Sequence, residues 1–395
     1  MLRTLRSFDL KNKKILIRVD FNTPMTKQVI TDNFRIKSSL PTIKTCLELG
    51  AALILMSHVG RPNGIIKKSL SLIPMGEELA RLLQMPIKFS DNCVSQDSLD
   101  VSLGLKPGEI HLLENLRFHK SEELNDPVFA SKLAKHGQIF INDAFGTAHR
   151  NHASNVGIVP YFKHYGIGLL MDKEINFLDN FMRKPKEPLV LILGGAKINS
   201  KIGLIDKFIS KATHILIGGG MAFTFLKARG KEVGGSMIED SMISVAKKIL
   251  KMASEHSVQI HLPEDVLCAK NISDVKADGT FNVNEIPSNL MGLDIGPKTI
   301  DKFKRILKSA STVMWNGPLG LFENITFEEG TKDIATYLSD ISEQNVKIII
   351  GGGDTASAVS KFNLIKSMTH VSTGGGSSLE LLSGNSLPAI NSQEI

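Results

Sequence analysis

Leu189-Val190-Leu191-Ile192-Leu193 runs without a polar residue into Gly194-Gly195-Ala196-Lys197. Five apolar residues with no alternation read as a strand buried on both faces, the signature of a parallel sheet covered by helices. The same arrangement recurs along the chain. Ile15–Val19 leads into Asp20-Phe21-Asn22, Ala51–Met56 into Ser57-His58-Val59-Gly60-Arg61-Pro62, Ile110–Leu113 into Glu114-Asn115-Leu116-Arg117, and Ile139–Ile141 into Asn142-Asp143-Ala144-Phe145-Gly146. Further on, Ile215–Ile217 meets Gly218-Gly219-Gly220, Thr312–Trp315 meets Asn316-Gly317-Pro318, and Lys347–Ile350 meets Gly351-Gly352-Gly353-Asp354. Helix-length segments such as Ser39–Leu49, Met75–Gln84 and Ser241–Ala253 lie between them. Strand alternating with helix predicts an α/β fold of the doubly wound, Rossmann-like type.

In open parallel sheets ligands bind at the carboxyl ends of the strands. Here those ends carry charged residues in the first half and glycines in the second, which predicts two sheets with different ligands. The break is expected near 166–187, where Gly166–Leu170 leads into a helical stretch, Met171–Met182, and Pro185 and Pro188 frame a polar turn. We therefore expect a first domain over 1–168, a connecting helix over 169–184 and a second domain from 185 to 370.

The 395 residues are 42% hydrophobic and 22% charged, with a formal net charge of +7. That charge is modest and not gathered in one run, so it points to anionic small molecules and not to nucleic acid. Cys46, Cys93 and Cys268 are isolated and form no CxxC pair, which argues against a disulfide framework or a cysteine zinc site. Met1 to Lys14 lacks the apolar core of a signal peptide, and no apolar run reaches membrane-spanning length. The expected location is the cytoplasm, with no membrane partner.

The glycine loops of the second half suit phosphate, because glycine lets backbone N–H groups approach an anion and the following helix adds a positive dipole end. A single such loop is more often a tight strand–helix turn. Four of them, at Gly194-Gly195, Gly218–Gly220, Gly351–Gly353 and Gly374–Gly376, favour a nucleotide. Lys197 and Lys201 are four apart and share a face if a helix has begun there, within reach of polyphosphate oxygens. Asp354 opens the segment after Gly353 and suits either an N-cap or Mg²⁺, which takes one or two carboxylates plus substrate phosphates. Glu323 suits a ribose hydroxyl, against the commoner surface role. Walker A is absent, and no GxGxxG opens a helix after a strand, which weighs against a nicotinamide dehydrogenase.

The arginines crowd the first half: after Arg150 only Arg183, Arg229 and Arg305 follow. Arginine recognises carboxylate and phosphate through its planar fork, where lysine is a point charge. Asp20, Asn22, His58, Arg61, Arg117 and Arg150 lie at or soon after strand ends, and Arg35 is expected in the Thr31–Ile36 loop. Four arginines exceed what one phosphate needs. Any one of them alone would be read as a surface ion pair. Arg18 is a poorer candidate because it sits within a strand.

At this point the motifs resemble those of a known family. Arg18-Val19-Asp20-Phe21-Asn22, Ser57–Pro62, Glu114–Phe118 and Asp143–Arg150 are similar to the substrate-side motifs of phosphoglycerate kinases. Gly194–Lys197, Gly218–Leu226, Trp315–Glu323, Gly351–Thr355 and Gly374–Leu382 are similar to the nucleotide-side motifs. The resemblance runs in order over nearly the whole chain. It implies two α/β domains joined by a central helix and hinge, with residues 371–395 returning to the first domain. It implies a cytoplasmic glycolytic monomer that moves a phosphoryl group between MgATP and 3-phosphoglycerate, giving ADP and 1,3-bisphosphoglycerate. Asp20, Phe21, Asn22, Arg35, His58, Val59, Gly60, Arg61, Arg117 and Arg150 fall on substrate positions. Gly195, Lys197, Lys201, Gly219, Gly220, Gly292, Asn316, Pro318, Gly320, Glu323, Gly351, Gly352, Gly353, Asp354 and Thr355 fall on nucleotide positions, with Asp354 also the metal ligand. Arg35, Lys201, Gly352 and Gly375 fall where the transferring group is stabilised. The chain departs from the family pattern at Ser200, where aspartate is usual, at Glu264, where many members are apolar, and at Thr23 in place of valine.

Overall fold

Lys14–Arg18 lies inside a six-stranded sheet whose order is Lys88–Ser90, Ile110–Leu113, Ala52–Met56, Lys14–Arg18, Ile139–Asn142, Tyr165–Ile167. Every neighbouring pair is parallel. Leu189–Leu193 occupies the same place in a second six-stranded sheet, ordered Gln259–His261, His214–Ile217, Leu189–Leu193, Thr312–Asn316, Lys347–Gly351, His370–Val371. It too is wholly parallel. The structure is a computed structural model that describes residues 2–394. Its α/β architecture is the doubly wound type that the apolar runs predict.

The runs are continuous because the central strands are covered on both faces. Leu16, Ile17, Leu53, Ile54, Leu191 and Ile192 are fully buried, and each such side chain contributes about 1.5–3 kcal/mol. In each sheet the chain starts at a central strand, builds one side of the sheet and then returns to build the other. The reversal leaves a crevice at the carboxyl ends between Lys14–Arg18 and Ile139–Asn142, and another between Leu189–Leu193 and Thr312–Asn316. These are the switch points at which ligands bind in open α/β sheets.

Two compact units result. One gathers residues 2–178 and 386–394, the other 179–385. The division falls inside the helix Leu169–Arg183. The returning residues bond within the first unit, where the Ala389 N–H donates to the Ala148 carbonyl at 3.1 Å.

Two local expectations need correction. Arg35 is not in a loop: the first helix spans Phe34–Glu48 and places Arg35 in its first turn, with the Phe34 N–H donating to Asp32 Oδ1 at 2.8 Å just ahead of it. The helix runs through Pro41, which lacks the N–H for one internal bond but does not end it. The second unit also contains an antiparallel sheet that the apolar runs do not announce, with Asp265–Ala269 between Gly279–Asn282 and Met291–Ile295. Its strands mix polar and apolar residues, and the two outer ones are only partly buried, so they lack the continuous runs that mark the other strands.

Candidate active site

The first crevice is built from strand-end residues. Asp20, two residues past Arg18, is buried and pairs with the Arg35 guanidinium from the first helical turn. A cation there opposes the helix dipole, and Asp20 offsets that cost. Asn22 Oδ1 accepts the Gly60 N–H at 2.9 Å, and Arg117 Nη1 donates to the Gly60 carbonyl at 2.7 Å. The backbone at Gly60 thus ties the strand-end segments Asp20–Asn22, Ser57–Pro62 and Glu114–Arg117 together.

His58 and Arg150 complete the group. Burial, then Arg18, Arg150, Arg35 and His152, push the His58 pKa well below its ordinary value. Burial, Arg61 and Arg35 lower the Arg150 pKa, while Asp20 raises it. These mutual influences place Asp20, Arg35, His58, Arg61 and Arg150 in one electrostatic cluster, with Arg61 exposed. A positive cluster with one buried carboxylate suits a small polyanion.

Not every predicted residue points into this space. Phe21 is fully buried in the core, and its N–H donates to Ser57 Oγ at 2.9 Å. Val59 is likewise a core side chain, with its carbonyl accepting from Asn115 Nδ2 at 2.8 Å. Both shape the strand ends through their backbones. Arg18, set aside in the sequence because it sits in a strand, has its Nη2 3.1 Å from His58 Nδ1. A strand-terminal arginine is legible only once the neighbouring strand is in register beside it.

The second crevice opens into a cleft of about 250 Å³. Gly195, Gly219, Gly220, Gly292, Pro318, Gly320, Glu323 and Asp354 all line it. The turns at its floor are knit by the Gly195 N–H donating to the Pro318 carbonyl at 2.8 Å and the Gly219 N–H to the Leu319 carbonyl at 2.9 Å. Ala196, Met237, Ile272, Met291, Leu293 and Leu321 supply apolar walls. None was predicted, because an apolar residue beside a ligand carries the same sequence signal as one in the core. A cleft with apolar walls, glycine turns and two carboxylates suits a nucleotide.

Lys201 and Asn316 are not among the residues that line the cleft. Both are buried, and Lys201 Nζ donates to Asn316 Oδ1. Burial lowers the Lys201 pKa to about 8, although Asp354 opposes the shift. Asn316 Nδ2 is buried with no partner among the described residues. Lys197 is exposed and does not wall the cleft. Thr355 is buried, its hydroxyl accepting the Gly317 N–H at 2.7 Å, so it braces the turn at Gly317. Gly352 precedes the helix Gly353–Lys361 with φ 90°, and Gly375 precedes Gly376–Leu382 with φ 49°, conformations that favour glycine.

Asp354 is exposed in the first turn of Gly353–Lys361. No cluster of three or more potential metal-ligating side chains occurs among the described residues. The Asp354 carboxylate on a nucleotide-sized cleft fits Mg²⁺, which is held mainly by phosphates and water. Ser200 is exposed, and its hydroxyl donates to the Lys197 carbonyl at 3.1 Å. Glu264, the other charged departure, pairs with Lys302 at 2.8 Å. A larger cavity, about 370 Å³, opens near Phe8, Lys13, Gln138 and His164. It lies at the amino ends of the first sheet's strands and holds none of the predicted residues.

Comparison with known proteins agrees with this geometry. The family model for phosphoglycerate kinase matches residues 5–385. The phosphoglycerate kinase of Prosthecochloris aestuarii is 47% identical over 98% of each chain, and that of Thermosynechococcus vestitus is 45% identical over 98% of this chain and 96% of its own. Among solved structures, the phosphoglycerate kinase of Coxiella burnetii superimposes with a TM-score of 0.83 at 36% identity, covering 100% of this chain and 99% of its own. That of Pyrococcus horikoshii gives 0.87 at 28% identity, covering 100% and 98%. With both crevices built from the family's motifs and the match running nearly end to end, this chain belongs to the phosphoglycerate kinase family, phosphotransferases with a carboxyl group as acceptor.

Proposed function

We propose that the chain catalyses reversible, Mg²⁺-dependent phosphoryl transfer between ATP and the carboxylate of 3-phosphoglycerate, giving ADP and 1,3-bisphosphoglycerate. The observation that carries this reading is the assembly of Asp20, Arg35, His58, Arg61 and Arg150 into one cluster at a switch point. The first unit then holds 3-phosphoglycerate and the second holds the nucleotide.

The acceptor carboxylate is ionised near pH 7, so the reaction needs no general base. That matches a site rich in cations. Arg61, Arg117, Arg150 and His58 bind the substrate's phosphate end and backbone oxygens. Arg35, released from Asp20, steadies charge on the reacting end, and Lys201 does so from the nucleotide side. Backbone N–H groups beside Gly352 and Gly375 add donors for the moving group. Glu323 takes the ribose. Asp354 would hold Mg²⁺, which when bound neutralises charge on the nucleotide phosphates. Because the half-sites belong to different units of one chain, we expect hinge closure to unite them and exclude water. The protein is expected to work as a cytoplasmic monomer. No helix among the described residues is long and apolar enough to cross a membrane.

The test is a coupled assay of the purified chain with 3-phosphoglycerate and MgATP, in which glyceraldehyde-3-phosphate dehydrogenase consumes NADH as acyl phosphate forms. Activity that requires both substrates and Mg²⁺ is expected. A folded chain that binds ATP without turnover would sink the proposal. Small-angle scattering tests closure separately: a radius of gyration unchanged with both substrates bound would count against it.

A further inference from the structure

We infer that Arg18 is a positioning residue that fixes the tautomer of His58, held for that task by Ser154 and Glu122. The inference rests on the reading above that His58 faces 3-phosphoglycerate. Arg18 ends the strand Lys14–Arg18 and is 1% exposed, and His58, two residues beyond the neighbouring strand, is 2% exposed. Arg18 Nη2 stands 3.1 Å from His58 Nδ1. A guanidinium has donors only. At that distance Nδ1 must accept, so it bears no proton, and the proton of the neutral ring sits on Nε2.

That assignment decides what His58 presents to an anion. Nε2 is the ring nitrogen that the guanidinium does not engage. With its proton it is a donor to an oxyanion. In the other tautomer the same atom would turn a lone pair towards that oxyanion. A doubly protonated ring is also opposed, because it would set an N–H against the guanidinium. Burial first, and then Arg18, Arg150, Arg35 and His152, oppose protonation of the ring in the same sense.

The guanidinium is itself fixed from several sides. Its Nε donates to Ser154 Oγ at 2.9 Å, and Nη1 donates to the Val19 carbonyl. Ser154 Oγ donates in turn to Glu122 Oε1 at 2.6 Å, and the Ser154 N–H donates to Glu122 Oε2 at 3.0 Å. Glu122 is wholly buried and supplies the counter-charge that a buried guanidinium needs. The direction of every bond follows from this chain. The carboxylate takes the serine proton, the serine oxygen takes the Arg18 Nε–H, and the Nη2–H goes to His58 Nδ1. None of Arg18, Ser154 and Glu122 needs to touch the substrate.

The test begins with the unaltered protein. Long-range ¹⁵N–¹H spectra of histidine-labelled chain, with the His58 signals assigned by their loss in His58→Gln, report the tautomer directly. At pH 7 a pyrrole-like Nε2 and a pyridine-like Nδ1 are expected. A protonated Nδ1 would overturn the inference. Arg18→Lys, and the milder Ser154→Ala should the first fold poorly, are expected to mix the tautomers. Each should raise KM for 3-phosphoglycerate by about tenfold, with KM for ATP unchanged. Placed on His58→Gln, Arg18→Lys should add no further loss, since it acts through the ring. An additive loss would make Arg18 a structural residue and overturn the inference. If the tautomer is as stated but His58→Gln leaves KM for 3-phosphoglycerate unchanged, the substrate contact is what fails, and Arg18 loses its positioning role with it.

Discussion

Arg117 donates from Nη1 to the Gly60 carbonyl at 2.7 Å, while its Nη2 is buried with no hydrogen-bond partner among the described residues. One arm of the guanidinium is anchored and the other is left over. An unpaired buried donor on a cation is costly, and an anion in the first crevice would satisfy it. Arg117→Lys keeps the charge but loses the fork. It should raise KM for 3-phosphoglycerate by roughly 10- to 100-fold, the worth of a charged hydrogen bond, and leave KM for ATP alone. Steady-state kinetics with each substrate varied in turn will check this; a loss on the ATP side would contradict it.

Lys201 has a pKa near 8 because burial disfavours its ammonium. If its charge serves the transfer, kcat/KM for ATP should fall as pH rises through about 8, since this parameter reports the free enzyme. In Lys201→Arg the cation cannot be titrated, and that descending limb should disappear. The stability effect has the opposite sign. Between about 8 and the ordinary 10.5 the folded chain binds fewer protons than the unfolded one, so Lys201 adds stability as pH rises across that window.

Asp143 Oδ1 accepts the N–H groups of Leu170 and Met171 at 3.0 and 3.1 Å, at the start of the helix Leu169–Arg183. Burial raises its pKa to about 7, against the opposing bonds from Thr42, Met171 and Leu170. The folded chain thus keeps a proton that the unfolded chain releases near 3.8. The stability this proton contributes is full below about pH 4 and is lost as pH rises towards 7. Asp143→Asn removes the titration, so its melting temperature should gain on that of the parent as pH goes from 5 to 8. A constant difference across that range would refute the assignment.

Gly292 lies on the cleft wall against the buried Phe223 ring, which a Cβ at that position would strike. Gly292→Ala should destabilise the chain by about 1–3 kcal/mol through overpacking, read as a lower urea midpoint. It should also weaken ATP binding by displacing the wall. Phe223→Leu, added to Gly292→Ala, should recover part of both losses. No recovery would mean that the strain lies elsewhere.

How far the sequence could be read follows from what each kind of residue records. Leu189–Leu193 announces itself because a strand covered on both faces has no room for a polar residue. The Gly195, Gly219 and Pro318 turns are legible because they follow such strands. Asp265–Ala269 opens on a charge, and Met291–Ile295 carries one and is only partly buried, so the antiparallel sheet they form leaves no such mark. Arg35 stands out in the sequence as a candidate but not as a helical residue, because the residues around it do not form a clear apolar face.

The sequence by itself determined the α/β class, the two differently charged sets of strand ends and the residue types gathered at each, since these depend on burial and local backbone freedom. Only the tertiary structure decided which of those residues share a crevice and what each one faces. Phe21 and Val59 proved to be core, Thr355 a brace, and Arg18 the partner of His58. The physical reason is that hydrogen-bond direction and proton position depend on the neighbour a side chain meets. Those neighbours come from strands that are adjacent in the sheet but 40 residues apart in the chain, as Arg18 and His58 are.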